Sequence, residues 1–593
     1  MLRKTIVAAF VLLLCACAAQ PPRQETADAS VPAAPPAAPA PVPPPDYDLI
    51  IRHGTVYDGS GAPGVVADVG VRGDRVAVVG NLDAATAKRE IDAGGLAVAP
   101  GFINMLSWAP DALIADGRSL SDLKQGVTLE VFGEGWSYGP LTPAMKQEMT
   151  AEQGDIRYPI TWTSLGEFLD TLAAKGIAPN IASFVGATTV RQHELGNADR
   201  APTPEELARM QDLVRQAMRE GALGVGSALI YAPGAYARTD ELVALAQAAA
   251  PFGGAYVSHM RSEGDRLLQG IDELIAIART AGVHAEAYHL KAAGKANWPK
   301  MREAIARIEE ARAQGLSVGA NMYTYTAGAT GLYACMPPAV QEGGLDAWIA
   351  RLQQPAVRQR LLRDMRRPGK GWENLCVAAG SAKNILLIGF KTEKLKPLIG
   401  KTLAEVAAMR RESPEEAIID LIVEDHSRID AAFFLMSEAN VRLGLEQPWV
   451  TLGSDEGSYA PEGVFLKSQP HPRAYGNFAR FLGRYVRDEH VDTLADAIRR
   501  LNALPAENLK LRDRGRLAGG YYADIVVFDP ATIADHATYA APRRYATGVR
   551  DVFVNGVQVL ADGEPTGALP GRVVRGPGWT GWASAGAAAD QGQ

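Results

Sequence analysis

The feature that most constrains the fold of this chain is an alternation of short apolar segments and amphipathic helices through its middle. Eight apolar segments recur between residues 96 and 454, and helix-like stretches such as 204–220, 240–250 and 267–281 lie between them. This alternation is typical of βα units that build a parallel sheet. Eight units predict an α/β fold of the (β/α)8 TIM-like barrel type, with its active site at the carboxyl ends of the strands. The predicted strands are 96–104, 127–132, 180–185, 223–228, 255–258, 284–288, 318–322 and 450–454.

Three of these segments end beside a residue that can bind a metal ion or move a proton. These residues are His259 in VSHMR, His289 in YHLKA and Asp455 in LGSDEG. A single histidine after a strand is more often structural, but two at neighbouring strand ends, with an acid at the eighth, favour a metal site. Two neutral imidazoles and a carboxylate suit a zinc-type ion that activates water. Asp455 is expected to act as the general base and acid.

The two ends of the chain predict a second domain. Residues 47–98 and 515–578 contain short strands broken by turn signals, which predict one small β-sandwich domain formed by both termini. The barrel would then occupy 99–514. Two helix-like stretches before the eighth strand predict an inserted helical subdomain at about 340–445, either a lid over the barrel mouth or a peripheral decoration.

The charge and the cysteine content limit the partners. A net charge of −7 and the lack of a Lys/Arg run argue against nucleic acid, so a small-molecule substrate is the expected partner. A homo-oligomer is left open. Cys335 and Cys376 are far apart and have no CxxC partner, so two buried free thiols are expected, with a single bridge as the alternative.

The N-terminus predicts export and lipidation. Residues 1–17 have a positive start, an apolar run at 6–14 and the ending Leu14-Cys15-Ala16-Cys17, which resembles a bacterial lipobox with Cys17 as the lipidated residue. A plain cleaved signal is the alternative. The Ala/Pro-rich segment 18–46 predicts a semi-extended tether. In bacterial lipoproteins, an Asp directly after the lipidated cysteine is associated with retention in the inner membrane, and this chain has Ala18 there. We therefore expect a periplasmic protein that is anchored to the outer membrane only through this lipid.

Eight short motifs follow one another along the chain: APGFI (99–103), SHMR (258–261), YHLK (288–291), MYTYT (322–326), MSE (436–438), GSDEGSYAPEG (453–463), HPRAYG (471–476) and GYYAD (520–524). In this order they resemble the amidohydrolase superfamily and, within it, the N-acyl-D-amino-acid deacylase (D-aminoacylase) family. The resemblance spans nearly all of 47–578. It implies metal-dependent hydrolysis of the amide bond of N-acyl amino acids, with N-acyl-D-amino acids as the expected substrates.

The chain departs from this family pattern at two places. The family normally has a His-x-His pair after the first strand, where this chain has Leu106 and Trp108. It also often has a cysteine in the turn after the second strand, where this chain has Gly133-Glu134-Gly135-Trp136. A divergent member of the family is therefore expected.

Two interpretations of this departure stay open. In the preferred one, a single zinc ion per chain is held by His259, His289 and a substitute acid, which is Glu134 or, as the alternative, Glu130. In the other, the chain is a non-catalytic amidohydrolase-like binding lipoprotein. A hydrolase of cyclic amides, lactones or dipeptides is a further alternative.

The resemblance also suggests residues that bind the substrate. Lys291 is expected to bind the α-carboxylate, and Arg473 and Tyr475 to share that task. Tyr325, in the YxYT stretch, is expected to bind the substrate or polarise its carbonyl, and Tyr231 is a further candidate. For each, a structural ion pair or a core phenol is the alternative.

Overall fold

A computed structural model describes residues 45–582 of the protein. The predicted signal peptide with Cys17, and all but the last two residues of the predicted tether, lie outside the described residues. Within 45–582, no helix combines the length and the apolar character needed to cross a membrane.

Eight strands form the barrel predicted from the alternation. Each pairs in parallel with its neighbour along the chain, and nearly all of their residues are buried, as expected for a parallel sheet covered by helices. Barrel strands 1 to 8 are Phe102–Asn104, Val127–Phe132, Asn180–Ser183 continued by Val185–Gly186, Gly224–Ala228, Ala255–His259, Ala285–Ala287, Val318–Met322 and Val450–Leu452.

Backbone hydrogen bonds connect the first and last barrel strands. The N–H of Met105 donates to the carbonyl of Leu452 at 3.1 Å, and the N–H of Asp455 donates to the carbonyl of Leu106 at 2.8 Å. The loops after strands 1 and 8 are therefore held side by side at the carboxyl edge of the barrel.

The predicted strand 96–104 is divided between two sheets at Gly101. Ala97–Pro100 belongs to the terminal sheet, and barrel strand 1 begins directly after the glycine. A Cβ atom at Gly101 would lie 2.2 Å from side-chain atoms of Thr128, so only glycine permits this close approach. The predicted apolar run thus contributes one strand to each of two sheets.

Helices surround the barrel, and the helix Pro204–Arg219 illustrates why they form. The Thr203 hydroxyl accepts from the backbone of Glu206, whose side chain accepts from the backbone of Thr203, so the two residues form a capping box. Met210 and Val214 lie on its buried stripe. The α-helices are Pro110–Ala115, Leu120–Leu123, Pro143–Glu152, Leu165–Lys175, Ala187–Leu195, Pro204–Arg219, Thr239–Ala249, Leu267–Ala281, Lys300–Ala313, Leu345–Leu352, Pro355–Asp364, Leu375–Ala379, Leu403–Arg410, Pro414–Asp425, Glu438–Leu445, Arg473–Arg480, Leu494–Leu501 and Ala503–Asn508, with a π-helix at Phe481–Asp488.

Strands from both ends of the chain meet in one nine-stranded sheet. Ala97–Pro100 joins the N-terminal strands to the C-terminal ones by pairing with Ile525–Phe528. The order across the sheet is Glu564–Pro565, Val557–Ala561, Val549–Val554, Ile525–Phe528, Ala97–Pro100, Tyr47–Val56, Val65–Arg72 and Arg75–Gly80, with Ala87–Asp92 beside Tyr47–Val56.

The segment between barrel strands 7 and 8 contains the predicted helices and also a small antiparallel sheet. Its strands are Ala327–Gly331, Ile385–Gly389 and Asp430–Phe434, so the insertion begins earlier than residue 340. Residues of this segment line the cavity described below, which makes it part of the cavity wall rather than a peripheral decoration.

A disulfide within the insertion corrects one expectation. Cys335 and Cys376, expected as two free thiols, are bonded to each other across a separation of 41 residues. The turn after Ala327–Gly331 packs against the short helix Leu375–Ala379, which brings the two Cα atoms to 5.1 Å. Sequence spacing cannot reveal this contact, because it depends on how the insertion folds.

Candidate metal centre and substrate cavity

Three potential metal ligands converge at the carboxyl edge of the barrel. Glu134 follows strand 2, His259 ends strand 5 and His289 lies two residues beyond strand 6. All three are buried, and each offers one ligand atom within 4.8 Å of the others. The structure therefore brings together the two predicted histidines and the preferred substitute acid.

The contacts among these three side chains leave polar atoms without partners. His289 Nε2 lies 2.6 Å and His259 Nδ1 lies 3.7 Å from Glu134 Oε1. Yet Glu134 Oε1 makes no hydrogen bond of acceptable geometry within 45–582, and neither does His259 Nε2. Because buried polar atoms are normally paired, the unpaired Glu134 Oε1, with one nitrogen of each imidazole directed at it, fits a cation. Two imidazoles and one carboxylate are a donor set that catalytic zinc commonly uses.

Glu263 lies on the opposite side of the two imidazoles and was missed by the sequence analysis. Its Oε1 is 2.8 Å from His289 Nδ1 and 2.6 Å from Lys291 Nζ, and its Oε2 is 3.7 Å from His259 Nε2. His289 Nδ1 also lies 2.8 Å from Lys291 Nζ, while its Nε2 is directed at Glu134. A carboxylate behind a histidine in this way is common where histidines bind metals. The available signal was an acid four residues after a strand-end histidine.

Strong electrostatic coupling accompanies this geometry. Burial alone would raise the pKa of Glu134, but the His289 and His259 imidazoles lower it to about 2. Burial and the Lys291 ammonium act to lower the pKa of His289, but Glu263 and Glu134 outweigh them and raise it to about 9. The two carboxylates thus create a negative site that favours a positive charge between them.

A further acid, the partly buried Glu373, lies behind Glu263. The backbone N–H of Glu263 donates to Glu373 Oε2 at 2.8 Å. Burial, followed by the charge of Glu263, raises the pKa of Glu373 to about 8. This second carboxyl group is therefore favoured in its neutral form, and it ties the insertion to the loop after strand 5.

Asp455 lies after strand 8, and both of its carboxylate oxygens are contacted by other side chains. Arg473 Nη1 lies 2.9 Å from Oδ2, and the indole Nε1 of Trp108 donates to Oδ1 at 3.1 Å. Burial raises the pKa of Asp455, and the Arg473 charge opposes that rise. Both oxygens of the carboxylate are therefore contacted, and Asp455 lines the same cavity as the three potential ligands.

Two of the predicted site residues have unusual backbones. His289 and Asp455 adopt left-handed conformations with φ of 37° and 53°. Side chains other than glycine rarely tolerate this region, and such strain persists mainly where the surroundings impose it, often at active sites. Both side chains are therefore directed by the folded structure rather than by local preference.

These residues line one cavity of about 540 Å³. Tyr231 packs edge-on against His259 with ring centroids 5.0 Å apart, and Trp136 and Tyr333 lie next to Tyr231. Lys291 and Arg473 lie over the ring of Tyr323, at 5.7 and 4.4 Å from its centroid. The cavity thus has an aromatic wall beside the histidines and two cations on another side.

Two residues predicted to bind the substrate lie outside the cavity lining. Tyr325 donates to Asp535 Oδ2 at 3.2 Å, and Tyr475 packs against Tyr545 with ring centroids 5.5 Å apart, so neither lines the cavity. Strand 7 ends at Met322, so the alternation of sides that strands impose no longer applies at Tyr325.

The alternative ligand Glu130 is fully committed to other partners. Its two oxygens accept hydrogen bonds from Ser107 at 2.7 Å and from Ser119 at 2.5 Å. Burial raises its pKa to about 7 despite these two hydrogen bonds. Glu130 therefore does not join the cluster of Glu134, His259 and His289.

Comparison with known proteins agrees with this architecture. A family model described as "Amidohydrolase family" matches residues 89–560. D-aminoacylase of Alcaligenes xylosoxydans xylosoxydans is 34% identical over 532 residues, which cover 89% of this chain and 97% of that protein.

Two solved structures are similar over the same extent. A D-aminoacylase studied for its binuclear metal centre is 33% identical, with a TM-score of 0.74 and coverage of 89% of this chain and 100% of that one. N-acyl-D-glutamate deacylase from Bordetella bronchiseptica, complexed with zinc and a phosphonate that mimics the tetrahedral intermediate, is 31% identical. Its TM-score is 0.72, with coverage of 89% and 99%.

Proposed function

This chain belongs to the amidohydrolase family, and we propose that it hydrolyses the amide bond of N-acyl amino acids, with N-acyl-D-amino acids as its substrates. The observation that carries the proposal is the cluster of Glu134, His259 and His289, which faces the same cavity as Asp455. The solved relatives at 31–33% identity, a D-aminoacylase and an N-acyl-D-glutamate deacylase, support the substrate class.

Glu134, His259 and His289 would hold one zinc ion per chain. Such an ion polarises a carbonyl group and lowers the pKa of a bound water molecule. Leu106 and Trp108 carry no group that can ligate a second ion. A single ion is compatible with turnover in a relative, since the compared D-aminoacylase is described by one-metal activation and second-metal attenuation of its binuclear centre.

Asp455 would move the proton. Its carboxylate takes a proton from the attacking water and returns it to the leaving nitrogen, which needs an oriented and ionised group. Arg473 favours the ionised form through its contact with Oδ2, while burial keeps the carboxylate basic enough to accept a proton.

Lys291 and Arg473 would bind the substrate α-carboxylate. Both line the cavity, and both carry N–H groups that suit a carboxylate. Lys291 shares its charge with Glu263, and Arg473 shares its own with Asp455, so neither is free of protein partners. The aromatic wall of Tyr231, Trp136 and Tyr333 would pack against the acyl group or the amino-acid side chain.

We further propose a periplasmic, lipid-anchored location, supported by the lipobox-like sequence that ends at Cys17. The Cys335–Cys376 disulfide fits this location, because disulfides persist mainly in oxidising compartments.

The test is a substrate panel assayed with zinc-loaded and chelator-treated protein. We expect zinc-dependent release of free amino acid from N-acetyl-D-amino acids, with slower or no release from the L-forms. Turnover of only hydantoins or lactones would move the activity to cyclic substrates. Bound zinc without turnover of any substrate would indicate a binding lipoprotein instead of an enzyme.

A further inference from the structure

The loop after barrel strand 1 carries a tryptophan whose N–H points at the proposed proton carrier. Trp108 Nε1 donates to Asp455 Oδ1 at 3.1 Å, and Trp108 itself lines the cavity. Resting on the proposed function, we propose that Trp108 is a positioning residue that orients the Asp455 carboxylate for proton transfer. It acts through Asp455 and makes no contact with the candidate metal ligands by hydrogen bond or ion pair within the described chain.

The backbone fixes the two partners relative to each other. The N–H of Asp455 donates to the Leu106 carbonyl at 2.8 Å, and the N–H of Trp108 donates to the Glu456 carbonyl at 2.9 Å. These two backbone hydrogen bonds join the loops that carry Trp108 and Asp455, so the indole and the carboxylate are held close to each other. The left-handed backbone at Asp455 is held by the same pairing, so the carboxylate and the indole meet without further adjustment.

A buried polar network stabilises the loop from below. The Ser107 hydroxyl donates to Glu130 Oε2 at 2.7 Å. The Asn104 amide donates to the Ser454 hydroxyl at 2.8 Å, and its oxygen accepts from the Ser454 N–H at 2.9 Å. Networks of this kind are rigid when their members are paired, so Trp108 projects from a fixed support.

Arg473 also contacts the Asp455 carboxylate, and its geometry shows what the indole hydrogen bond contributes. Arg473 Nη1 lies 2.9 Å from Oδ2, and this guanidinium also contacts the Asp455 carbonyl and the ring of Tyr323. A contact at one oxygen leaves the carboxylate able to turn about its last torsion, which has a broad energy profile. A donor at Oδ1 restricts that torsion, and a neutral indole does so without adding a second positive charge.

An alternative role for Trp108 is to pack against the substrate, and two substitutions separate the roles. Trp108→Phe keeps an aromatic ring and removes the donor, whereas Trp108→Gln removes the ring and keeps an N–H donor. If Trp108 orients Asp455, Trp108→Phe lowers kcat by about 10- to 100-fold with little change in KM, because small misplacement of a catalytic group is costly. Trp108→Gln then recovers part of the lost kcat.

The opposite pattern overturns the proposal. If Trp108→Phe retains kcat and Trp108→Gln mainly raises KM, the ring is a substrate wall. Trp136→Phe is the matched control, because Trp136 lines the same cavity and makes no hydrogen bond to Asp455 in 45–582. We expect its effect to appear in KM rather than in kcat.

A measurement without turnover keeps this inference separate from the proposed function. In zinc-loaded protein labelled with 15N-tryptophan, the indole signal of Trp108 is the one that disappears in Trp108→Phe. Asp455→Ala should shift this signal more than any other indole signal, because it removes the acceptor. An unmoved Trp108 signal would overturn the proposal even if the enzyme is active, and a shifted one would support the contact even if none of the tested substrates is hydrolysed.

Discussion

Glu130 and Glu134 lie four residues apart at the carboxyl end of barrel strand 2, and both are buried, yet their surroundings differ completely. Serine hydroxyls occupy both oxygens of Glu130, and burial raises its pKa to about 7. Glu134 faces two imidazoles that, against the effect of burial, lower its pKa to about 2. The comparison shows that burial alone does not identify a metal-binding carboxylate. Its oxygens must also be free of hydrogen bonds and lie close to other metal-binding atoms.

The same contrast extends to the barrel edge as a whole. Glu134 Oε1 and His259 Nε2 lack hydrogen-bond partners within 45–582, and both residues belong to the cluster with His289. At the end of strand 1 and in the loop after it, the side chains of Asn104, Ser107 and Trp108 form hydrogen bonds to neighbouring loops and strands. The cluster of Glu134, His259 and His289 is suited to bind a cation. The loop after strand 1 is suited to hold Asp455 in place.

The largest expected effect comes from exchanging the two acids for amides. Glu134→Gln should remove bound zinc and lower activity by at least about a thousandfold, since it takes away one of three ligands. Glu130→Gln, the matched control, should retain about one zinc per chain. Metal analysis of both purified variants decides the matter, and loss of zinc from Glu130→Gln alone would reverse the assignment.

A smaller loss is expected when the proton carrier is changed and the ligands are kept. Asp455→Asn should lower kcat by about 100- to 10,000-fold, the range typical of general acid–base groups, while zinc content stays normal. Steady-state kinetics and metal analysis on one preparation test this. Unaltered kcat would remove Asp455 from the mechanism.

Substrate binding should depend on the cationic side of the cavity. Lys291→Met should raise KM for N-acyl amino acids by about 10- to 100-fold, because one partner of the carboxylate is lost. Tyr325→Phe should leave KM close to that of the wild type, because the Tyr325 hydroxyl donates a hydrogen bond to Asp535 outside the cavity. A raised KM in the tyrosine variant would instead support the substrate contact suggested by the sequence.

The smallest effect concerns stability and pH. Burial raises the pKa of Glu130 from 4.5 to about 7, so its contribution to stability is complete below its unfolded pKa and is lost as pH rises through about 7. Glu130→Gln should therefore gain stability relative to the wild type between about pH 5 and pH 8. Urea unfolding of both proteins at these two pH values measures it, and an equal difference at both values would contradict the account.

The sequence predicted the barrel well because its signals are local. The alternation of apolar segments and amphipathic helices marks each strand, and His259 and His289 stand where two of them end. The division of the predicted strand 96–104 at Gly101 was not visible, because it depends on contact with Thr128 in another strand.

The site was predictable where side chains follow strand geometry and not where loops place them. Glu134, His259 and His289 lie at or just beyond strand ends, where the barrel fixes the direction of approach. Glu263 escaped notice because a turn folds it back behind His289. The Cys335–Cys376 bond escaped notice because it joins two parts of the insertion that only tertiary packing brings together.

Anomalous diffraction from a crystal grown with zinc tests the central claim most directly. We predict one zinc peak, bonded at about 2.0–2.2 Å to a carboxylate oxygen of Glu134 and to one nitrogen each of His259 and His289. A crystal with zinc present but no peak between these residues, or with its peak beside Glu130, would contradict the account.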